Sequence, residues 1–596
     1  MEQVNAGREL TLIGRGQELA VLESRLDAIA GGRTRVVLVT GEPGIGKTRF
    51  LNAVAERAAR AGMLVLRGGA TDAEGMPPYL PFLEALGDYI AAAPAARLRE
   101  QLGPSAATLA TILPEIVQRL GEPSTTYPLP AEQGRHRLFE AVGDFLAALA
   151  APCALLLILD DLHWADPAGL DLLSYVARRH PTARLLMLGA YREGEVAHRP
   201  AFERALAELT RLRLLDSLAL RPLADVEITA LAGGYLGAPL DPPARDLLCA
   251  HSGGVPFFAE ELMRGWLETG ALIPLTGNQE RSYTLSTTGE PALPAGIAGA
   301  IRRRLSHLPP EVAELLRTAA IIGRTFDASL LAHAAGREPE WIEDRLQEAV
   351  IAHLVRADPA DTFAFSHDKI RECLYNEVTT IRRRRLHGFI GRALETLPGI
   401  PDARRLAELA FHFTRGGDPA RGAHYAIDAA DHAMRAFAPD EAIVHYRDAL
   451  ALLDTEDQRR GDLLLGLGEA AILAGLERDA VAGFDAARTW FDRAGAPDAA
   501  ARAAHGAGQA LARLEEHSAA RHGFETALAL LKDRPGPELV RVLVDLGTLL
   551  AVSLHELTAG IDYSRQALDL AQRLADEHLV AAAGRALGNL LMRSND

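Results

Sequence analysis

The stretch Arg35-Val-Val-Leu-Val-Thr40-Gly41-Glu-Pro-Gly44-Ile-Gly46-Lys47-Thr48 decides the fold. Its first six residues are a short apolar run of the kind that forms a strand buried on both faces. The next eight read GxxxxGK[ST], and the pattern from Thr48 to Ala61 is helical. In a strand–loop–helix context the glycines let successive backbone N–H groups turn inward around phosphate oxygens, and the helix N-terminus adds its positive dipole end. Gly41, Gly44, Gly46, Lys47 and Thr48 are therefore candidate phosphate ligands. In this chemistry Lys47 reaches the β- and γ-phosphates and the Thr48 hydroxyl binds Mg²⁺. With 53 glycines and 3 lysines in 596 residues, about 0.02 chance matches are expected. The lysine is informative in itself. Lys47, Lys369 and Lys532 are the only three, against 60 arginines, so a lysine marks a place where a guanidinium does not fit.

Outward from that loop, apolar runs at Leu64–Leu66, Leu155–Leu159, Leu185–Leu188 and Leu214–Leu218 alternate with helical stretches such as Pro167–Arg179. The alternation predicts a doubly wound α/β domain with a parallel sheet over residues 1–224, with a helical insertion at about 76–130. Leu155-Leu-Leu-Ile-Leu-Asp160-Asp161 reads as a core strand whose tip carries two carboxylates. Asp160 suits a Mg²⁺ ligand acting through water, and Asp161 a group that orients or deprotonates the attacking water. Residues 225–292 read as a helical lid followed by a polar loop or hairpin. Residues 293–400 read as a small helical domain with one hairpin near Leu354–Phe365, which suggests a winged helix.

From 401 to 596 strands disappear and alanine dominates. Ala442, Tyr446 and Ala449 stand at offsets 0, 4 and 7; so do Ala480, Phe484, Ala487 and Ala520, Phe524, Ala527. A looser fourth copy is read at Ala559 and Tyr563. Gly468, Gly508, Gly547 and Gly588 recur every 39 to 41 residues. These offsets share one helix face, and small residues let a paired helix approach. The pattern matches tetratricopeptide-like repeats with a longer period than usual, hence a solenoid with a concave face for a partner. The last repeat is expected to be incomplete, and the chain to be a fragment or truncated product.

Read together, Asp160-Asp-Leu-His163-Trp164-Ala-Asp166 resembles the signature of signal-transduction ATPases with numerous domains (STAND), and more narrowly the MalT-like ATPase module of large ATP-binding LuxR-type transcription regulators. The same module occurs fused to adenylate cyclases and kinases. Four further stretches carry the resemblance in order. Leu12-Ile13-Gly14-Arg15 resembles the leading element near the nucleotide base. Gly189-Ala-Tyr-Arg192 resembles the first sensor, whose Arg192 approaches the γ-phosphate. Gly253-Gly-Val-Pro256-Phe257-Phe-Ala-Glu-Glu-Leu262 resembles the lid motif whose Pro256 packs on adenine. Phe365-Ser-His367-Asp resembles the winged-helix segment whose His367 touches the bound diphosphate. The resemblance implies a slow Mg-dependent ATPase cycling between ATP and ADP, a regulatory partner on the repeats and ATP-dependent self-association. A motor of the AAA+ type is the alternative.

Composition narrows the partners. The formal net charge is −16, against a whole-surface nucleic-acid footprint. Arg382-Arg-Arg-Arg385 is a local basic run, read as a solvated helix face. Direct DNA binding is doubtful without the family's C-terminal helix-turn-helix. Three scattered cysteines fit no disulfide framework or zinc site. The N-terminus lacks a signal peptide, and the longest apolar run, 14 residues, contains Pro152, too short for a membrane span. The sequence thus reads as soluble and cytoplasmic.

Overall fold

The computed structural model describes residues 12–71, 76–122, 131–196, 199–276, 281–286, 301–302, 304–305, 308–352, 354–358, 362–397 and 402–594. Five parallel strands, β1 (Arg35–Thr40), β2 (Leu64–Gly69), β3 (Leu155–Asp160), β4 (Leu185–Tyr191) and β5 (Leu215–Ala219), form one sheet in the order β2-β3-β4-β1-β5. β1, β3 and β4 are buried almost throughout, whereas β2 keeps one buried residue and β5 none. Only the inner three strands are covered on both faces, so Leu64–Leu66 and Leu214–Leu218 belong to edges. Val36–Val39 are each at most 2% exposed, and each such aliphatic contributes about 1.5–3 kcal/mol of burial.

The expected insertion consists of the helices Leu80–Ala92, Ala95–Leu102, Ala106–Leu109 and Glu115–Leu120; its end, 123–130, lies outside the described residues. Three helices, Asp225–Leu236, Pro242–Ser252 and Pro256–Glu268, follow the sheet and bury their own core, onto which Ile13 packs. The polar segment after them is an antiparallel hairpin, β6 (Leu272–Thr276) with β7 (Arg281–Leu285); residues 277–280 and 287–294 are outside the description. Next come the helices Pro310–Ile322, Ala328–Ala335 and Pro339–Ile351 with a small antiparallel sheet. Its strands are β8 (Thr325–Asp327), β9 (Val355–Asp358) and β10 (Thr362–Phe365), in the order β8-β10-β9. The helices Asp368–Glu377 and Thr380–Thr396 complete this part. Among the described residues no helix is long and apolar enough to cross a membrane.

The chain divides into two compact units, Met1–Asp402 and Ala403–Asp596. The second is an all-helical solenoid of successive antiparallel pairs. Alanine and glycine at the crossings set how closely the helices approach. A side chain at Gly468 would meet the Phe484 ring at 2.7 Å, and one at Gly508 the Phe524 ring at 2.6 Å. The glycines are thus sockets for the aromatic of the next helix. The fourth copy sits one residue later than the sequence pattern suggests. On helix Leu557–Arg573 the residues at offsets 0, 4 and 7 that are buried are Gly560, Ser564 and Ala567, while Ala559 and Tyr563 are only partly buried. Ser564 replaces the aromatic and lets Gly560 close directly on Gly547, whose carbonyl lies 2.5 Å from where a Gly560 Cβ would stand. Gly588 falls within the helix Glu577–Ser594.

One buried ion cluster links two of these helices. His505 Nδ1 lies 2.6 Å from Glu538 Oε1, and its Nε2 lies 2.8 Å from Asp545 Oδ2, which Gln509 also contacts. Arg541 pairs with the other Glu538 oxygen, and the Phe524 ring covers the site. Burial opposes the imidazolium, but the bonds to Asp545 and Glu538 more than offset it and raise His505 to about 9. Because the folded value lies above the unfolded one of 6.5, the cluster's stabilisation is complete below pH 6.5 and is lost as pH rises through about 9, on the order of 3 kcal/mol. His505→Gln is expected to lower the solenoid's thermal midpoint at pH 6.5 and to leave it nearly unchanged at pH 9.5. Equal losses at both pH values, followed by circular dichroism, would show that the imidazole charge contributes nothing.

Candidate functional site

Strand order brings the site together. β4 lies between β1 and β3, so the loop after β1, the acids at the tip of β3 and Arg192 just past β4 stand side by side at the C-terminal ends of the inner strands. Gly44 and Gly46 have φ of 82° and 98°, a left-handed backbone that favours glycine. Gly44 is also closed in by Phe257: an added Cβ would lie 3.0 Å from the Phe257 Cβ, and the Phe257 N–H donates to the Gly44 carbonyl at 3.3 Å. Lys47 opens the helix Lys47–Arg60 and is 7% exposed. Its Nζ donates to the carbonyls of Gly41 at 2.9 Å and Glu42 at 3.1 Å. Burial, then the charge of Arg192, holds its ammonium below the usual lysine range. The ammonium is thus folded onto the rim of its own loop, within reach of anything seated there.

Thr48 Oγ1 donates to Asp160 Oδ2 at 2.8 Å, and the other Asp160 oxygen accepts the Asp161 N–H at 2.9 Å. A hydroxyl and a carboxylate so placed match the hard oxygen ligands that Mg²⁺ takes. Asp161 adopts φ 52°, a left-handed backbone uncommon for a residue other than glycine. It is buried, and burial with the charge of Asp160 pushes it up to about 6, with Arg324 pulling the other way.

From Asp161 a line of alternating charges runs along the cleft. Arg324 Nη1 pairs with Asp161, and Arg324 Nε with Asp368 Oδ1 at 3.0 Å. Asp368 Oδ2 pairs with Arg192, which reaches Glu195 Oε1 at 2.8 Å. Burial works against the Arg324 charge, but Asp368 and Asp161 together raise its pKa above the usual arginine value. Arg192 also lies 4.9 Å over the Trp164 ring, a cation–π contact. His163, fully buried against Trp164 with ring centroids 4.4 Å apart, is driven down to about 3 by burial and then by Arg192 and Lys47, so it is neutral.

The remaining sequence-predicted residues sit on the loop's flanks. Arg15 is buried; its Nη2 donates to the Ile45 carbonyl at 3.3 Å and it pairs with Glu18. Pro256 is the first residue of helix Pro256–Glu268, as its fixed φ favours. Arg49 ties the Lys47 helix to that same helix through Glu260 at 3.1 Å. His367 caps helix Asp368–Glu377, its Nδ1 accepting the Lys369 N–H at 3.2 Å, and its ring stacks on Phe257 at 4.1 Å. Burial lowers it to about 4. Phe257 therefore stands between His367 and the glycine loop.

Residue reading missed Arg324, Asp368 and Glu195. Asp368 was visible beside His367, but nothing local gave it a charge partner. Arg324 follows a glycine in an arginine-rich chain and had no signal of its own.

Residues 11–188 match the family model of the AAA ATPase domain. An uncharacterized protein of Rhizobium meliloti (strain 1021) is 27% identical over 442 residues, 68% of this chain and 39% of its own length. The hybrid signal transduction histidine kinase G of Dictyostelium discoideum is 25% identical over 173 residues, 27% of this chain and 5% of its own length. The chain thus spans well under half of either relative. Among solved structures, a signal transduction ATPase with numerous domains carrying a tetratricopeptide repeat sensor, from Pyrococcus horikoshii, aligns with 100% of this chain and 82% of its own at 13% identity and a TM-score of 0.43. The N-terminal part of the chain is thus similar to an AAA ATPase domain over residues 11–188, and an all-helical array follows it.

Proposed function

We propose that the chain is an ATP-operated signalling switch of the STAND type. The observation that supports this best is the charge line Asp161–Arg324–Asp368–Arg192. Arg324 and Asp368 lie in the helical domain that follows the hairpin, which we read as a winged helix. Both groups at the strand tips that would face a γ-phosphate, Asp161 and Arg192, are held by this one domain. Opening the line for hydrolysis must move the domain, and moving the domain must change the site.

In this reading the backbone N–H groups of Gly41, Gly44 and Gly46 bind phosphate oxygens. Lys47 exchanges the Gly41 and Glu42 carbonyls for the phosphates. Thr48 and Asp160 would hold Mg²⁺, the latter through water, and the ion would supply charge neutralisation of the phosphate oxygens. Asp161 orients the attacking water and takes its proton. Arg192 stabilises the γ-phosphate charge, and Arg15 and Pro256 bound the base. His367 reaches the diphosphate when the Phe257 ring shifts.

A place in a LuxR-type transcription regulator, or in a cyclase or kinase fusion, rests on the resemblance of the DDLHWAD run and the repeats. Nucleic-acid contact through the winged helix itself is disfavoured. Its third helix, Pro339–Ile351, carries Glu340, Glu343, Asp344 and Glu348 against Arg345 alone, the wrong sign for phosphates.

The repeats are read as the sensor. A chain ending at Asp402, where the first unit closes, should bind ATP and yet differ from the full chain in basal hydrolysis. The expected change is about 5–150-fold, the range of a 1–3 kcal/mol coupling. If hydrolysis and oligomeric state are the same in both chains under all nucleotides, the repeats are a spacer and not a restraint.

A further inference from the structure

One buried polar group of the site has no hydrogen-bond partner. His163 is fully buried, and neither of its ring nitrogens makes a hydrogen bond among the described residues. Its Nδ1 stands 4.0 Å from Asp161 Oδ1. Its Nε2 stands 3.2 Å from Glu195 Oε2, close but without the alignment of a bond. Buried polar atoms are nearly always paired, so an imidazole with both nitrogens unpaired calls for a partner in another state of the molecule. The ring is neutral, held so by burial and then by Arg192 and Lys47, the two cations that meet the phosphates in the reading above. A neutral imidazole carries one N–H, and the shorter approach gives it to Nε2.

Glu195 is the group that comes to need that donor. Its Oε1 takes Arg192 at 2.8 Å, and its side chain, on the short helix Glu193–Val196, is 41% exposed. When Arg192 turns to a γ-phosphate, the Glu195 carboxylate loses its cation just as a second anion arrives beside it. Like charges facing each other across a partly buried cleft oppose binding. The other cations of the site are engaged elsewhere, Arg324 on Asp161 and Asp368 and Lys47 on its own loop. His163 is already in place: Oε2 lies against Nε2, and a small rotation of the carboxylate completes the bond.

We propose that His163 is a positioning residue of the γ-phosphate response: as Arg192 leaves, the Nε2–H takes over the Glu195 carboxylate and holds its charge off the nucleotide. The proposal rests on the switch reading above and adds to it what fixes the preference for ATP over ADP. A diphosphate leaves Arg192 on Glu195 and never calls on His163. The pair therefore acts only through the difference in affinity between the two nucleotides. Were water enough to cover Glu195, the histidine would contribute nothing to that difference.

The test is calorimetry on the full chain with Mg²⁺ and either ADP or the non-hydrolysable analogue AMP-PNP. His163→Ala is expected to weaken AMP-PNP at least tenfold and to leave ADP within about threefold. His163→Gln, which keeps a side-chain N–H, recovers most of the loss. Glu195→Gln removes the stranded charge: alone it shifts the affinity ratio towards AMP-PNP, and combined with His163→Ala it abolishes the histidine's effect. A packing defect at a buried ring would add to the second substitution instead of vanishing with it. Equal losses for both nucleotides, or a His163→Ala loss that survives in the Glu195→Gln background, overturn the proposal and leave the switch reading standing. A wild type that binds neither nucleotide removes both. Should His163→Ala fail to fold by circular dichroism, Glu195→Gln alone decides, and an unchanged ratio overturns the proposal.

Discussion

Lys47→Ala is expected to weaken ATP binding by about 2–3 kcal/mol, roughly 30–150-fold, with the fold unchanged. Among the described residues of the site, the ammonium of Lys47 stands with the guanidinium cations of Arg192 and Arg324. Its grip on the Gly41 and Glu42 carbonyls places it at the loop rim before any ligand arrives. Exchanging two neutral carbonyls for phosphate oxygens turns ordinary hydrogen bonds into ion-assisted ones, and alanine removes that gain entirely. Lys47→Arg should recover little of it. Lys47 is buried, and burial, then the charge of Arg192, already holds the ammonium below the usual lysine range. Isothermal titration calorimetry decides the matter, and equal affinity in wild type and alanine variant refutes the assignment.

The second large effect concerns turnover. Asp161→Asn should leave ATP affinity within a few-fold and slow hydrolysis by about 10²-fold or more, the usual worth of a positioned proton acceptor. Burial and Asp160 already raise this carboxyl towards neutrality, which suits a group that must accept a proton near physiological pH. Arg324→Ala supplies the contrast. It frees the same carboxylate from its partner and should raise basal hydrolysis. Single-turnover measurements separate the two variants. A rate for Asp161→Asn equal to wild type assigns the water to another residue. A fast wild-type rate without any ligand favours a motor over a switch.

What could be read from residues alone was what the chain does locally. The glycine loop and the acid pair at the tip of β3 are each spelled within eight residues, because a tight turn and a strand end impose their own chemistry. The repeats were legible wherever an aromatic filled a glycine socket, and slipped by one residue at Ser564, where the small hydroxyl and the Gly560 backbone fill it. The charge line was not legible. Arg324 and Asp161 are 163 positions apart, and their meeting depends on how one domain lies on another, which no short pattern records. The edge character of β2 and β5 was hidden for the same reason: burial on the second face is decided by what covers it.

The alternation of sign from Asp161 to Glu195 has a consequence for how the molecule changes state. In a row of fixed charges every neighbour is opposite, so no single member can be displaced without setting two like charges face to face or leaving one bare. A newcomer of one sign at the Asp161 end therefore has no gradual accommodation. It is either refused, or it takes Arg324 and Arg192 for itself and leaves Asp368 to find cover elsewhere. Such a row behaves as a latch rather than a spring: insensitive to small pushes, and complete in its response once the threshold is crossed.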